Sequence, residues 1–403
     1  MNKYILDFVK NNTKTIFQDL SVPQKKAMKL LVKRLFQSGE GILRRLGEGS
    51  EQLPKTIAEK FSRHLGKIDL LLPVESFADR RLIKLLPKGA VIGYDLTDIN
   101  KESAKKIENI DKCFDGSRRR KTQGFFVHGV GFGRFLWRLK VHNSGSEFLP
   151  QVRKKILDRL IKITKTLNPI FAFDRGNDDK KLFENLDNQN ANFIARLKKN
   201  RNLILKESGE IKKVEEIKEG RYTVFIAESG TEQRKNPIYR EYELVIYKKQ
   251  KSKKTPIRLL LSKNLDPEKK LSNKKITNLY LQRWGVENSF KQIKSTLNLE
   301  DIRVMKFRKF QNLVSLQHLC MLINELLLHN MQENLKIFKN ISLTKIFCEY
   351  KKFLKRYTLT LNSHSFFRFL KKVFPSFYRH RKRPKRTLQT SLFQFLAEKV
   401  KTF

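Results

Sequence analysis

Tyr280, Arg283, Glu287 and Lys294 stand at offsets 0, 3, 7 and 14. At roughly 100° per residue, a helix would gather them into a wedge of about 60°. One face would then present a carboxylate flanked by two cations and a phenol. Arg forks onto phosphate oxygens, Lys supplies a point charge, and Tyr donates a hydrogen bond or stacks, so the face suits a phosphate-bearing substrate. Taken alone, it equally suits a solvated helix laced by ion pairs. Two more acids close apolar, β-rich runs: Asp95 in Ile92-Gly93-Tyr94-Asp95-Leu96-Thr97, and Asp174 in Phe171-Ala172-Phe173-Asp174-Arg175-Gly176. If the fold brings Asp95, Asp174 and Glu287 together, they offer only oxygen ligands, a set suited to Mg²⁺. Two such ions roughly 3.5–4 Å apart would serve both ends of an in-line displacement at phosphorus.

Other residues compete for these assignments. Asp98 is an alternative to Asp95, which lies nearer the end of the apolar run. Asp178 and Asp179 read as a helix start, where carboxylates suit the dipole. Glu300 and Asp301 read as a surface turn, and Trp284, about 100° round from Arg283, as core. His128 and His142 lack metal-ligand spacing. Cys113, Cys320 and Cys348 are too far apart for a zinc site or a disulfide framework.

The elements that must position the acids emerge from periodicity. Ala90 to Leu96, Gly124 to His128 and Phe132 to Val141 read as three strands joined by hairpins. Next come an amphipathic helix over 147–167, a short buried strand at Ile170 to Phe173, a helix from about Asp178 to Leu186, and a strand at Asn192 to Leu197. The order is β-β-β-α-β-α-β. Residues 201–265 are again β-rich and read as an inserted β subdomain. The first 75 residues read as short basic helices suited to DNA binding, or as a helical cap. From Asn273 the chain reads as helical to its end.

The chain of 403 residues carries 86 Lys and Arg against 40 Asp and Glu, a net charge of +46. At 39% hydrophobic it can still build cores. Such a surplus implies a polyanionic partner, and nucleic acid is the first choice. No uninterrupted apolar stretch reaches the roughly 18 residues of a membrane span, and Met1 to Lys14 does not read as a signal peptide. The expected location is the cytoplasm, in association with nucleic acid. Ser117 to Lys121, and Arg379 to Arg386 with six Lys or Arg in eight residues, are either phosphate grips or solvated runs.

The spacing Tyr-x2-Arg-x3-Glu-x6-Lys resembles the YREK signature of a large group of bacterial insertion-sequence DDE transposases. Asp95 with Thr97 resembles that family's first catalytic Asp, and Asp174-Arg175-Gly176 resembles its second. The segment with Phe193 and Arg196 is similar to the family's next stretch after that second Asp. The likeness covers roughly residues 85–325. It implies an α/β fold with a ribonuclease-H-like mixed sheet, an inserted β subdomain and helical regions at both ends. The expected domains are a helical DNA-binding region at 1–75, a catalytic core at 85–200 completed at 270–325, the β subdomain at 201–265, and a basic helical region at 326–403. It further implies that Asp95, Asp174 and Glu287 are the catalytic and metal-binding acids, using Mg²⁺ with Mn²⁺ as substitute. Tyr280, Arg283 and Lys294 would contact DNA. The family also holds a flipped base with an aromatic of the β insertion, for which Tyr239, Tyr242 and Tyr247 are candidates. The implied activity is metal-dependent cleavage at terminal inverted repeats and joining to target DNA, by a homodimer in the DNA complex. A stand-alone nuclease of the same fold, a non-catalytic DNA-binding derivative and a general basic scaffold are the alternatives.

Overall fold

The computed structural model describes residues 2–48, 52–104, 106–115, 120–231, 236–248 and 255–337, with 350, 366, 368 and 369. Ser117 to Arg119, Cys348 and the basic run Arg379 to Arg386 lie outside them.

Five helices precede the sheet: α1 (Asn2–Lys14), α2 (Val22–Ser38), α3 (Leu43–Leu46), α4 (Pro54–Leu65) and α5 (Leu71–Leu82). Helix α2 shows why the sequence folds this way. Pro23 sits in its first turn, the Gln24 side chain accepts from the Ser21 N–H at 2.9 Å, and Met28, Leu31, Val32 and Leu35 are buried at helical spacing. Gly39, at φ 66°, ends it in a left-handed cap that disfavours a side chain. These helices share one apolar core with the sheet and with the 31-residue α10 (Phe307–Ile337). Helix α10 is buried on all sides over much of its length, so its polar residues must find partners. Asn312 donates to Leu65 O and Ile68 O and accepts from Leu70 N, stitching the end of α4 to the start of α5. Among the described residues no helix is long and apolar enough to cross a membrane.

The sheet begins with β1 (Val91–Asn100), β2 (Asp111–Asp115), β3 (Arg120–Phe132) and β4 (Phe135–Val141). Helix α6 (Leu149–Thr164) leads to β5 (Ile170–Phe173), and α7 (Lys180–Asn188) to β6 (Asn192–Arg196). Strand β3 pairs antiparallel with β1 and β4, while β5, entered from α6, pairs parallel with β1 on one side and with β6 on the other. That is the ribonuclease-H-like order. The second β-rich stretch supplies β7 (Asn202–Leu205), β8 (Ile211–Lys213), β9 (Gly220–Ala227), β10 (Tyr239–Tyr247) and β11 (Ile257–Leu261). Strand β11 pairs antiparallel with β6, so this stretch continues the core sheet, giving eleven strands among the described residues.

Two expectations need correction. Strand β1 does not stop at Leu96 but runs to Asn100 along β3. Gly129 and Gly131 do not form a hairpin loop; β3 passes straight through them. They are glycines because neighbours come close: an added Cβ would lie 2.1 Å from the Phe290 ring at Gly129 and 2.3 Å from the Phe135 carbonyl oxygen at Gly131. The turn falls at Gly133, φ 52°.

A buried ionic group fastens α5 to the sheet. Arg138 on β4, 1% exposed, pairs with Asp79 and lies 3.9 Å from Glu75, both on α5. Arg159 on α6 reaches the same two acids at 2.8 and 3.1 Å, and the Trp137 indole donates to Asp79 at 2.8 Å. Burial pushes the Glu75 carboxyl up, against the pull of the two arginines. The group seats the N-terminal helices on the sheet in a single register.

Candidate active site

The parallel pairing of β1 with β5 ends at Tyr94 and Phe173. The next residue on each chain is an acid. Asp95 is thus mid-strand in β1 yet at the end of its pairing with β5, beside Asp174 at the C-terminal end of β5. Ligand clefts in open α/β sheets form at such ends. Asp98 lies three positions on and so faces the other side of the strand.

The third acid arrives on a helix pair. The stretch expected as one helix is two, α8 (Asn273–Leu281) and α9 (Trp284–Thr296). At the joint, Arg283 N donates to Tyr280 O and Val286 N to Arg283 O, three-residue bonds that tighten the backbone. Helix α9 lies close on the sheet because glycines make room. An added Cβ on Gly93 would meet Arg283 and Val286 at 3.0 Å, and one on Gly285 would lie 2.1 Å from the Gly133 carbonyl oxygen. This close seating brings Glu287, in the first turn of α9, towards Asp95 in the middle of β1.

Arg283 is the centre of the arrangement. It is 4% exposed, its Nη2 lies 2.5 Å from Glu287 Oε1, and its Nη1 is 3.3 Å from Asp95 Oδ2. Its Nε and Nη1 find no hydrogen-bond acceptor among the described residues. The Tyr280 ring, itself 2% exposed, carries the guanidinium carbon 5.7 Å from its centre. Asp174, Arg175, Gly176, Arg196, Lys198, Tyr280 and Arg283 line one cleft.

The electrostatics reflect this crowding. The Asp95 carboxyl is pushed up to about 7, first by burial; Arg283 opposes the rise, while the nearby charges of Asp174 and Glu287 add to it. Asp174 is held by a relay that sequence reading missed. Asn177 donates to its Oδ1 at 2.6 Å, and Arg153 on α6 donates to Asn177 Oδ1 at 3.1 Å. Its place three residues after Asp174 is the one signal in the sequence that points to Asn177.

The expected DNA contacts separate. Tyr280 and Arg283 line the cleft, whereas Lys294, two turns along α9 from Glu287, pairs with Glu300 at 3.0 Å. Of the insertion tyrosines, Tyr242 is 2% exposed, packed against Phe183 and Phe193, and Tyr239 is 46% exposed. Burial removes Tyr242 as a base holder. His128, fully buried, meets the Tyr94 hydroxyl at 2.8 Å, a core role. Asp179 caps α7, as expected, but Asp178 is buried and paired with Arg201. Trp284 is not core; it is 54% exposed. Among the described residues no three acidic, imidazole or thiol groups converge tightly enough to hold a metal ion. Arg283 stands between Asp95 and Glu287 instead.

Among curated proteins none matches the sequence significantly. The solved structures similar to the chain include a cryo-EM structure of piggyBac transposase in a synaptic complex with hairpin DNA. It is 13% identical, with 98% of this chain and 82% of that one covered at a TM-score of 0.43. Residues 141–323 match the family model described as a transposase DDE domain, a span that contains Asp174, Arg283 and Glu287. Over those residues the chain is similar to the transposase DDE domain family.

Proposed function

We propose that the chain is a DNA transposase that binds the terminal inverted repeats of an insertion sequence, cleaves at the element ends and joins them to target DNA. The observation that carries this reading is Arg283 bridging Asp95 and Glu287, in the lining of a cleft that it shares with Asp174 and the cations Arg175, Arg196 and Lys198. A net charge of +46 supports a polyanionic substrate.

The donor types suit a hard divalent cation once the three carboxylates close up around it: all are oxygen, and the Asp95 carboxyl is lifted by burial and by its acidic neighbours, a crowding that a cation would relieve. Asp95, Asp174 and Glu287 would hold Mg²⁺, or Mn²⁺ in its place. The chemistry supplied by a bound pair is activation of water or a 3′ hydroxyl and stabilisation of the departing 3′ oxygen. Arg283 Nε finds no hydrogen-bond acceptor among the described residues and suits a phosphate oxygen, with the Tyr280 ring beside the guanidinium. Arg175, Arg196 and Lys198 line the path along which a strand backbone would pass. Lys291, exposed one turn beyond Glu287, adds a cation that the sequence reading overlooked. Lys294 would reach phosphate by leaving Glu300. Two ends must be cut and joined together, which a homodimer on DNA provides.

The test is a labelled duplex carrying the repeats that flank the gene, incubated with protein and Mg²⁺ beside an Asp174→Ala control. End-specific 3′ nicks, absent in the control, are expected. Binding without nicking by both proteins would overturn the catalytic reading.

A further inference from the structure

Helix α9 meets its surroundings along two rows of residues. Val286 lies over Gly93 and Phe290 over Gly129, with Ile293 buried in the same apolar row. Roughly 100° round the helix, Gly285, Ser289 and Gln292 form a second row at spacings of four and three. Gly285 backs onto the Gly133 carbonyl. The Ser289 hydroxyl donates to Gly285 O at 2.9 Å and lies 3.5 Å from Arg134 O. Gln292 Nε2 donates to Glu325 Oε1 at 3.1 Å. Glu325, on α10, is fully buried, and its other oxygen is 3.6 Å from Nε of Arg134, the residue after Gly133. Arg134 in turn donates to Gln332 Oε1 on α10 at 2.7 Å. One buried carboxylate thus holds α9 with one oxygen and the turn between β3 and β4 with the other.

Burying a carboxylate is costly, and an apolar side chain would fill the same space more cheaply. What the carboxylate adds is direction. The apolar row fixes how close α9 lies to the sheet, but apolar contact is non-directional and resists rolling only weakly. Hydrogen bonds weaken steeply when their angle is lost. Glu287 stands on the other flank of the apolar row, about 140–200° from the row that ends in Gln292. At a helix surface roughly 5–6 Å from the axis, a roll of about 10° moves a side chain by about 1 Å. A misplacement of that size costs roughly 100-fold in rate.

We propose that Glu325 is a positioning residue for Glu287: by holding Gln292 and Arg134 together it sets the roll of α9, and with it the reach of the third carboxylate toward Asp95. This role rests on the metal-dependent reading above. Glu325 is not among the residues that line the cleft and acts only through α9.

The experiment uses the full chain and two readouts: the thermal midpoint against Mg²⁺ without DNA, and the nicking rate against Mg²⁺ at saturating inverted-repeat DNA. Gln292→Met keeps the length of the side chain and removes its hold on Glu325. The Mg²⁺ concentration for half the effect should then rise about tenfold or more in both readouts, the scale for losing an outer support of a metal-binding carboxylate. DNA affinity in EDTA should not change. Glu325→Leu should behave as Gln292→Met does, whereas Glu325→Gln, which still accepts from Gln292, should stay close to the wild type. Asn312→Ala is the control, because it loosens α10 from α4 and α5 instead. It should lower the thermal midpoint without moving the Mg²⁺ half-point. Equal displacement of the half-point in Gln292→Met and Asn312→Ala would make Glu325 part of the scaffold and overturn the proposal, with the transposase reading intact. Unchanged half-points in both Gln292→Met and Glu325→Leu would do the same. A wild-type chain that neither nicks nor gains stability from Mg²⁺ would sink the metal-dependent reading, and this role with it.

Discussion

Arg283 Nη2 lies 2.5 Å from Glu287 Oε1, one turn away on the joint between α8 and α9, and the same guanidinium faces Asp95. One fork thus neutralises acids from two different elements. A lysine could serve one of them but not both. Arg283→Ala leaves Asp95 crowded by Glu287 and Asp174 without its counter-charge, and should lower stability by about 1–3 kcal/mol. A divalent cation would then supply the missing charge. Mg²⁺ should therefore raise the thermal midpoint of the variant more than that of the wild type. Equal shifts in the two proteins would separate Arg283 from the cation site.

Gly285 poses a contest between two effects of opposite sign. Replacing a helical glycine by alanine ordinarily stabilises by about 1 kcal/mol. Here the new Cβ would stand 2.1 Å from the Gly133 carbonyl oxygen, a backbone atom that cannot swing aside. Overpacking costs about 1–3 kcal/mol, so Gly285→Ala should be destabilising by thermal or urea unfolding. The helix must lift from the sheet to accept it, carrying Glu287 away from Asp95. A misplacement near 1 Å costs roughly 100-fold in rate, so the loss of nicking should exceed the loss of stability. A stabilised, fully active variant would show that α9 does not need this contact.

The central sheet is legible in the sequence because its strands are apolar and β-branched: Ile170 to Phe173 is a fully buried run, and Leu244 to Ile246 is an apolar run in the buried half of β10. Strands β2 and β8 are not, since Asp111-Lys112-Cys113-Phe114-Asp115 and Ile211-Lys212-Lys213 are short and charged, as edge strands often are. Gly129 and Gly131 mislead because a glycine needed for close approach looks the same as one needed for a turn. The break at Gln282 and Arg283 carries no proline or glycine of its own, so nothing in the spacing of Tyr280 to Lys294 reveals two helices. Trp284 misleads for the same reason, since the joint alters which face of the helix points outward. The relay from Arg153 through Asn177 to Asp174 joins a helix to a loop more than twenty residues later, a pairing that local pattern does not encode.

Asn177 is 3% exposed, and its amide holds Asp174 while its own oxygen is held by Arg153. Removing an outer partner of a metal-binding carboxylate typically costs 10–100-fold in affinity or activity. Asn177→Ala should therefore reduce nicking by about that factor and raise the Mg²⁺ concentration needed for half-maximal rate. Binding to inverted-repeat DNA in EDTA should be unchanged. A fall in rate with the same Mg²⁺ dependence would place Asn177 in the scaffold rather than in the support of Asp174.

His318, on α10, is fully buried and meets the Leu136 carbonyl at 2.8 Å. Burial pushes its imidazole down to about 4, with the hydrogen bond to Leu136 opposing and the Arg138 charge adding to the fall. The folded protein therefore refuses a proton that the unfolded chain accepts below about 6.5. Above that pH the residue contributes no pH dependence. As pH falls from 6.5 toward 4 the unfolded state gains, and stability declines by up to about 1.4 kcal/mol per pH unit. Below about 4 the folded state takes the proton as well and the decline stops. Urea midpoints measured from pH 7.5 to 4.5 should fall, and His318→Gln, which keeps a donor for Leu136 O but cannot titrate, should flatten that slope. An unchanged slope in the variant would assign the acid sensitivity to the other buried groups, with His128 foremost.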